Sequence, residues 1–330
     1  MAVPMRTQYA EGRRPLDSTK RTVAVLGASG FLGQAIVAEL RGRGAHVRAV
    51  TAPRLRVSPE RLERGPSCVD ERAVEELSGR LDVADVIVNA AGMADSGGAD
   101  TDGLFGANAL LPLMAARAGA RASGRRLVHI SSIAVQGDGD LDESPRAQPF
   151  SPYSRSRAAG EQLLLADAGI QTVIFRPTSV HGAGRAVTRT LVRLARSPLS
   201  CVAGTGNAPT PQVLVTDVAA AVAELALRPD PVPRIALQPA NGMTTGLLLR
   251  LLGGCEPRRV PERFARTAMR GLRSFGSRSP MLTAHARRME MMLFGRRQVP
   301  GWLAEQGCVP PLVPQAWQRL AADIAAGRHL

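Results

Sequence analysis

The stretch Val23-Ala-Val-Leu-Gly27-Ala-Ser-Gly30-Phe-Leu-Gly33-Gln-Ala-Ile-Val constrains this chain most, because it joins a short β-branched run to a helical pattern through three regularly spaced glycines. Gly27 allows the chain to turn sharply off a strand, Gly30 lets backbone N–H groups approach a pyrophosphate, and Gly33 lets the new helix pack closely on a sheet. The helix N-terminus then faces an anion with unpaired N–H groups and a partial positive charge. Tight turns use glycines for steric reasons alone, so the context decides. Here the strand before and the apolar helix after (Phe31, Leu32, Ala35, Ile36, Leu40) supply what a dinucleotide site requires. Gly27, Ser29, Gly30, Phe31, Leu32 and Gly33 are the candidate cofactor-binding residues of this loop.

Apolar runs alternate with helical patterns through the first half, the signature of a parallel sheet wrapped by helices. Strands are expected at Val23–Leu26, Val47–Val50, Asp85–Asn89, Leu127–Ser131 and Thr172–Arg176, with helices over Ala73–Leu77, Leu104–Ala118 and Tyr153–Ala168. The expected fold is α/β: a Rossmann-type doubly wound parallel sheet with ligands at its C-terminal edge, and a smaller C-terminal substrate-binding region. Residues 1–20 are expected to be a disordered basic tail and 21–177 the NAD(P)-binding unit. Residues 178–330 are expected to be mainly a substrate-binding region, with about 210–240 returning to the sheet, where Gln212–Leu227 reads as strand then helix.

The chain of 330 residues carries a formal charge of +14, and Lys20 is its only lysine. The arginines are scattered and aromatics make up 3%, which argues against nucleic acid as a partner and leaves an anionic small molecule as the species such a field favours. Cys68, Cys201, Cys255 and Cys308 lie far apart, with neither zinc spacing nor a disulfide framework. No apolar run approaches the ~18 residues of a membrane span, and the first twenty residues lack the apolar segment of a signal peptide, so the cytoplasm is the default. Residues 257–296 are Arg-rich with helical period: Val260, Phe264, Ala268 and Leu272 on one face, Met289, Met292 and Leu293 on another. Such stretches can lie on anionic lipid.

After the fourth strand, Ser131-Ser132-Ile-Ala-Val-Gln-Gly137 places two hydroxyls where the sheet opens, although serines also end strands by bonding local backbone. Tyr153-Ser-Arg-Ser-Arg157 follows at a helix start. A tyrosine and a cation four residues apart share one helical face, so the cation can stabilise a phenolate, as a tyrosine acid/base near neutral pH requires.

With the glycine spacing, these segments resemble the extended short-chain dehydrogenases/reductases, the NAD-dependent epimerase/dehydratase family, which acts mostly on nucleotide sugars. The resemblance extends through Asn89-Ala-Ala-Gly92, Asn108, Phe175-Arg176-Pro177-x-x-Val-His-Gly182, Val213-Leu-Val-Thr-Asp217-Val and Gly307-Cys-Val-Pro310, covering residues 21 to about 325. It implies that Ser132 polarises the substrate carbonyl or hydroxyl, that Tyr153 transfers the proton, and that Asn108 orders the active-site helix or a water. It also implies that Ala90, Ala91 and Gly92 line the nicotinamide ribose, while Pro177 and its neighbours hold the carboxamide. A homodimer through the helices beginning near Leu104 and Tyr153 is implied as well. One departure stands out: the family's lysine is Arg157 here. Arginine stays charged and can bond ribose hydroxyls, but it cannot relay a proton. The expected activity is an NADP(H)-dependent reductase or epimerase working on a nucleotide-linked (deoxy)sugar. Arg157 keeps open the alternative of a catalytically silent NAD(P)-binding sensor or scaffold.

Cofactor choice is set after the second strand, where Thr51-Ala-Pro-Arg54-Leu-Arg56 has no carboxylate for a ribose 2′-hydroxyl and an arginine for a 2′-phosphate. This favours NADP, with NAD possible. Asp70, where a strand is expected to end, either approaches the adenine edge or caps the next helix. Substrate contacts are expected from the irregular region after Pro177, with Thr178, His181 and Arg185 as candidates. Arg185, Arg189 and Arg193 either clamp a diphosphate or form a solvated face. His129 reads as a satisfied core histidine, and Asp95 to Asp102 as a loop near the site mouth.

Overall fold

A computed structural model describes residues 21–94, 101–167, 169–229, 231–276, 286 and 289–328. The expected basic tail and most of the loop from Asp95 to Asp102 lie outside the described residues.

The glycine-loop unit is β1 (Thr22–Leu26), α1 (Phe31–Gly42) and β2 (His46–Val50), followed by the single turn α2 (Pro59–Leu62) and α3 (Glu71–Leu81). β3 (Val86–Asn89) leads to α4 (Asp102–Phe105), a π-helical turn at Gly106–Leu110, and α5 (Leu111–Arg121). β4 (Arg126–Ile130) leads through a 3-10 turn, Ile133–Gln136, to α6 (Pro152–Ala166) and β5 (Gln171–Arg176). Then come β6 (Ser179–His181), α7 (Ala186–Ala195), β7 (Cys201–Ala203), β8 (Gln212–Leu214), α8 (Val215–Leu227) and β9 (Ile235–Leu237). The described residues end with α9 (Thr245–Gly253), β10 (Arg258–Val260), α10 (Glu262–Gly276), α11 (Trp302–Glu305) and α12 (Pro314–Ala325).

Among the described residues the main sheet has six parallel strands in the order β2-β1-β3-β4-β5-β9. The order reverses at β1, which places a crevice between the loops after β1 and β3, as a doubly wound sheet requires. Alternation along each strand builds two cores. Val23, Val25, Val88, Val128, Val173 and Phe175 pack with Ile36 and Leu40 of α1 and with α8. Ala24, Leu26, Ile87, Leu127 and Ile174 pack with α3, α5 and α6. Both faces of the central strands are covered, so their sequences read as unbroken apolar runs. A third core joins α7, α9 and α12 through Leu191, Val192, Leu248, Leu252 and Trp317.

Three expectations are corrected. No strand precedes Asp70: Gly65–Cys68 is a 3-10 turn, because Gly65 adopts a φ of +65° and Pro66 has no N–H to offer a ladder. Of the segment expected to return to the sheet, β8 pairs instead with β6 in a separate two-stranded sheet, and only β9 joins the main sheet, beside β5. Among the described side chains of α10 the buried ones are Ala265 and Met269, whereas Phe264 is 58% exposed and Leu272 also faces outward. The stripe read from the sequence is therefore the outer one.

The helices expected to form a dimer bundle are already covered within the chain. Leu111, Leu113, Met114, Ala115, Ala116 and Ala118 of α5 are all buried, packed with Leu62, Val69, Val74 and Leu77 from the segment around α2 and α3. Exposed on α5 and α6 are Arg121, Arg155, Gln162 and Ala166, a largely polar set. A homodimer through these helices is expected to sediment as such at micromolar concentration and to be lost in Gln162→Arg; a monomer would remove the bundle.

Candidate active site

The glycine loop is built by close approach. Gly27 has a φ of +79°, and a Cβ there would lie 2.7 Å from the backbone of Ala91, so the first turn packs directly on the loop after β3. A Cβ on Gly33 would lie 2.0 Å from the Gly27 carbonyl oxygen. Gly30 donates its N–H to that oxygen at 3.0 Å and is the N-cap of α1, with no side chain capping the helix. Ser29 and Gly30 are exposed and Phe31 and Leu32 half-buried, which leaves the N-terminal turn of α1 facing the crevice edge without a side-chain acceptor. This geometry fits a pyrophosphate.

The loop after β3 is held from within. Asn89 accepts the Ala91 N–H at 3.1 Å through its side-chain oxygen, while its amide nitrogen meets His129 Nδ1 at 3.3 Å. Burial holds the His129 imidazole well below its ordinary pKa, helped by the charge of Arg157, so it is neutral. Its Nε2 has no hydrogen-bond partner, so this core histidine is satisfied on one side only. Asn108 sits in the π-helical turn and reaches two elements at once. It accepts the Met93 N–H at 2.9 Å, and its amide donates to the Met93 carbonyl and to Ser156 Oγ on α6, both at 3.0 Å. A π turn presents that side chain off the regular helical path, as such turns do near functional sites.

Helix α6 begins with a reciprocal cap. Ser151 Oγ accepts the Ser154 N–H at 3.1 Å, Ser154 Oγ accepts the Ser151 N–H at 2.8 Å, and Pro152 occupies the first turn. This fixes Tyr153, which is half-buried, at the helix start. Arg157 lies one turn on, 8% exposed, with its guanidinium carbon 5.4 Å from the Tyr153 ring centre. It donates to the Ile130 carbonyl at 2.9 Å and lies against Gly92, where a Cβ would come within 2.5 Å of the guanidinium. Its Nε is buried without a partner.

Ser132 Oγ accepts the Ala134 N–H at 3.2 Å and caps the 3-10 turn, which leaves its own hydrogen free to donate. Ser131 is different: it is buried and donates to Glu161, which pairs with Arg176 at 2.6 Å. Arg176 also donates to the Ser144 carbonyl at 2.7 Å. The sequence reading missed Glu161. A charged residue at the end of a fully buried strand demands an acid nearby, and Glu161 lies one helical turn beyond Arg157.

Pro177 accepts the Ile133 N–H at 3.2 Å, and the buried Thr178 hydroxyl beside it has no partner. Arg185 lies 5.4 Å over the Phe31 ring. Burial pushes its guanidinium pKa down, and the Tyr153 phenol works against that shift, so Arg185 faces both the glycine loop and the tyrosine. Arg54 is exposed beyond β2. Asp70 accepts the Arg72 N–H at 2.9 Å and so caps α3, the second of its two expected roles.

His181 is not a pocket-lining residue. It is 1% exposed, bonded to Gln212 Oε1 at 2.6 Å and Thr188 Oγ1 at 3.1 Å, with its ring 5.5 Å from that of Trp317. Burial holds its pKa down to about 4. A cavity of about 590 Å³ lined by Arg43, Glu224, Arg228 and Trp302 lies at the other end of α1 and includes none of the site residues. The residues that meet at the C-terminal edge of the sheet are thus the glycine loop, Ala90–Gly92, Asn108, Ser132, Tyr153, Arg157, Pro177, Thr178 and Arg185. They fit a nicotinamide dinucleotide on two counts: an uncapped helix terminus behind a glycine turn, and buried donors of Arg157 and Thr178 left without protein partners.

Residues 23–235 match the NAD dependent epimerase/dehydratase family. A ketoreductase of Stigmatella aurantiaca, named for 4-hydroxy-2-methyl-3-oxo-4-farnesyl-3,4-dihydroquinoline-1-oxide, is 32% identical over 169 residues, 48% of this chain and 50% of that protein. The chain thus spans about half the length of the curated relatives it matches. In fold it is similar to the UDP-glucuronic acid 4-epimerase of Bacillus cereus in complex with NAD, with a TM-score of 0.60 and 17% identity, covering 93% of this chain and 99% of that one. It is also similar to the dTDP-4-dehydrorhamnose reductase of Bacillus anthracis in complex with NADP, with a TM-score of 0.59 and 17% identity, covering 92% and 99%.

Two measurements probe this geometry. Gly33→Ala is expected to abolish dinucleotide binding by calorimetry, because the new methyl has no room against Gly27; unchanged affinity would contradict the packing. His181 carries a folded pKa below its unfolded value near 6.5, so the unfolded chain binds the extra proton and stability is lost as pH falls from about 6.5 to about 4. The loss is on the order of 3 kcal/mol. In urea titrations His181→Gln is expected to flatten that part of the stability profile, and an unaltered slope would count against it.

Proposed function

The chain belongs to the NAD dependent epimerase/dehydratase family, and from that premise we propose that it is an NADP(H)-dependent reductase or epimerase acting at the carbonyl of a nucleotide-linked (deoxy)sugar. The observation that carries the reading is Tyr153, held at a capped helix start with the Arg157 guanidinium carbon 5.4 Å from its ring centre.

The glycine loop would hold the pyrophosphate, Ala90–Gly92 the nicotinamide ribose, Pro177 and Thr178 the carboxamide, and Arg54 the 2′-phosphate. When bound, the cofactor supplies or accepts hydride at the substrate carbon. Ser132 donates its free hydroxyl hydrogen to the carbonyl oxygen. In reduction, Tyr153 gives its phenolic proton to the same oxygen as the carbonyl becomes an alcohol. Arg157, fixed by the Ile130 carbonyl, stabilises the negative charge left on the phenol oxygen. Asn108 keeps α6 and the loop after β3 in register, so that the tyrosine and the ribose site are built together. Arg185 contacts the anionic part of the substrate.

A second reading, a lipophilic ketone, is favoured by the exposed Phe264, Leu272 and Met289 and by the farnesylated compound in the name of the ketoreductase relative. Incubation with NADPH and a panel of nucleotide-linked keto sugars and prenylated ketones, followed by mass spectrometry, separates the two. Product heavier by two hydrogens is expected from a keto sugar. Tyr153→Phe is expected to lower the rate by about 10²–10⁴-fold while NADPH still binds. Undiminished product in that variant would remove the phenol from the mechanism. Intact NADPH binding with no product from any ketone would favour the silent sensor.

A further inference from the structure

A second cavity, of about 330 Å³, lies where the loop after the Ile133–Gln136 turn meets residues 290–296. Gly137, Gly139, Arg266, Phe294 and Arg296 line it, together with Asp138 and Glu290. Arg296 is 8% exposed. Its Nε donates to the Gly139 carbonyl at 2.8 Å, and its backbone N–H donates to the Pro209 carbonyl at 2.7 Å, so the side chain is anchored at both ends of its stem. Its two terminal nitrogens are buried without a hydrogen-bond partner.

A buried cation with unmet donors costs free energy unless something binds it. The cost shows in the guanidinium itself: burial, with Arg146 adding to it, brings its pKa down to about 10 against the opposing pull of Asp138 and Asp140. Arg266 brings a second guanidinium to the cavity, stacked 4.5 Å over the Phe294 ring and paired with Glu262 at 2.6 Å. Two parallel N–H donors in a fixed fork match an oxyanion. The loop that closes the cavity begins five residues after Ser132, so the cavity adjoins the proposed reaction centre along the chain.

We propose that this cavity is an oxyanion subsite in which Arg296 holds a carboxylate or phosphate group of the substrate through its two terminal nitrogens. The inference rests on the carbonyl-reductase reading for the identity of the substrate, but not for the binding itself. It is tested first without turnover. Inorganic phosphate, compared with chloride at equal ionic strength, is expected to raise the melting temperature of the full chain saturably. Tyr153→Phe should keep that response, and Arg296→Met should weaken phosphate binding at least tenfold. Because Arg296→Met can fail to fold, Phe294→Trp supplies a reporter in an otherwise intact site, and its emission is expected to change saturably with phosphate. An equal response in Arg296→Met, or no saturable change in the reporter, would overturn the subsite.

The source of the anion is separated by kinetics with a keto acid and its methyl ester. If the substrate carries the anion, Arg296→Met raises KM for the acid about tenfold, leaves kcat unchanged and leaves the ester unaffected. An unchanged KM for the acid, with phosphate binding lost, would assign the cavity to a free anion and overturn the substrate part of the proposal. Failure of every ketone to react would leave the phosphate result standing and would count against the reductase reading alone.

Discussion

The guanidinium of Arg157 ties together the three pieces from which the candidate site is made. It is bonded to the last residue of β4, packed on the glycine at position 92 beyond β3, and set beside the Tyr153 ring at the head of α6. None of these contacts is strong alone, since a single charge-assisted hydrogen bond contributes only about 1.5–3 kcal/mol. Their value lies in geometry. A planar, permanently charged group can meet a carbonyl, a glycine surface and an aromatic ring at once, which a flexible ammonium does less well. The arginine that departs from the family pattern therefore stands between the Tyr153 ring and the loop after β3.

Around that group the rest of the molecule acts as a frame. The reversal of strand order at β1 opens the crevice, and the absence of side chains at Gly27 and Gly33 lets the first turn and the loop after β3 touch. The buried Ser131–Glu161–Arg176 chain fixes the ends of β4 and β5 behind the site. Breaking such a pair from one side leaves an uncompensated buried charge and costs about 3–5 kcal/mol, so this network holds the frame in register.

The central strands were legible to within a residue or two because strands covered on both faces are unbroken apolar runs. The glycine loop was legible because Gly27 and Gly33 stand where backbones collide with anything larger. What escaped the sequence depended on residues far apart in the chain. His181 resembles a pocket residue until Gln212 and Thr188, from other elements, complete its bonds. The outer stripe of α10 is the more apolar by eye, but Ala265 and Met269 make the inner contact. Asp70 could be narrowed only to two roles, since its choice rests on whether a strand precedes it, and Gly65 with Pro66 prevents one. Arg296 carried no local mark at all: one arginine among dozens, distinguished only by what fails to bond it.

The most direct test of the central claim is the paired comparison of Arg157→Lys and Arg157→Met in NADPH affinity and turnover. Lysine is expected to preserve both within about tenfold, since it keeps a cation at that place, whereas methionine is expected to lower turnover by about 100-fold or more and to weaken NADPH binding. A methionine variant as active and as tightly bound to NADPH as the unaltered chain would contradict it.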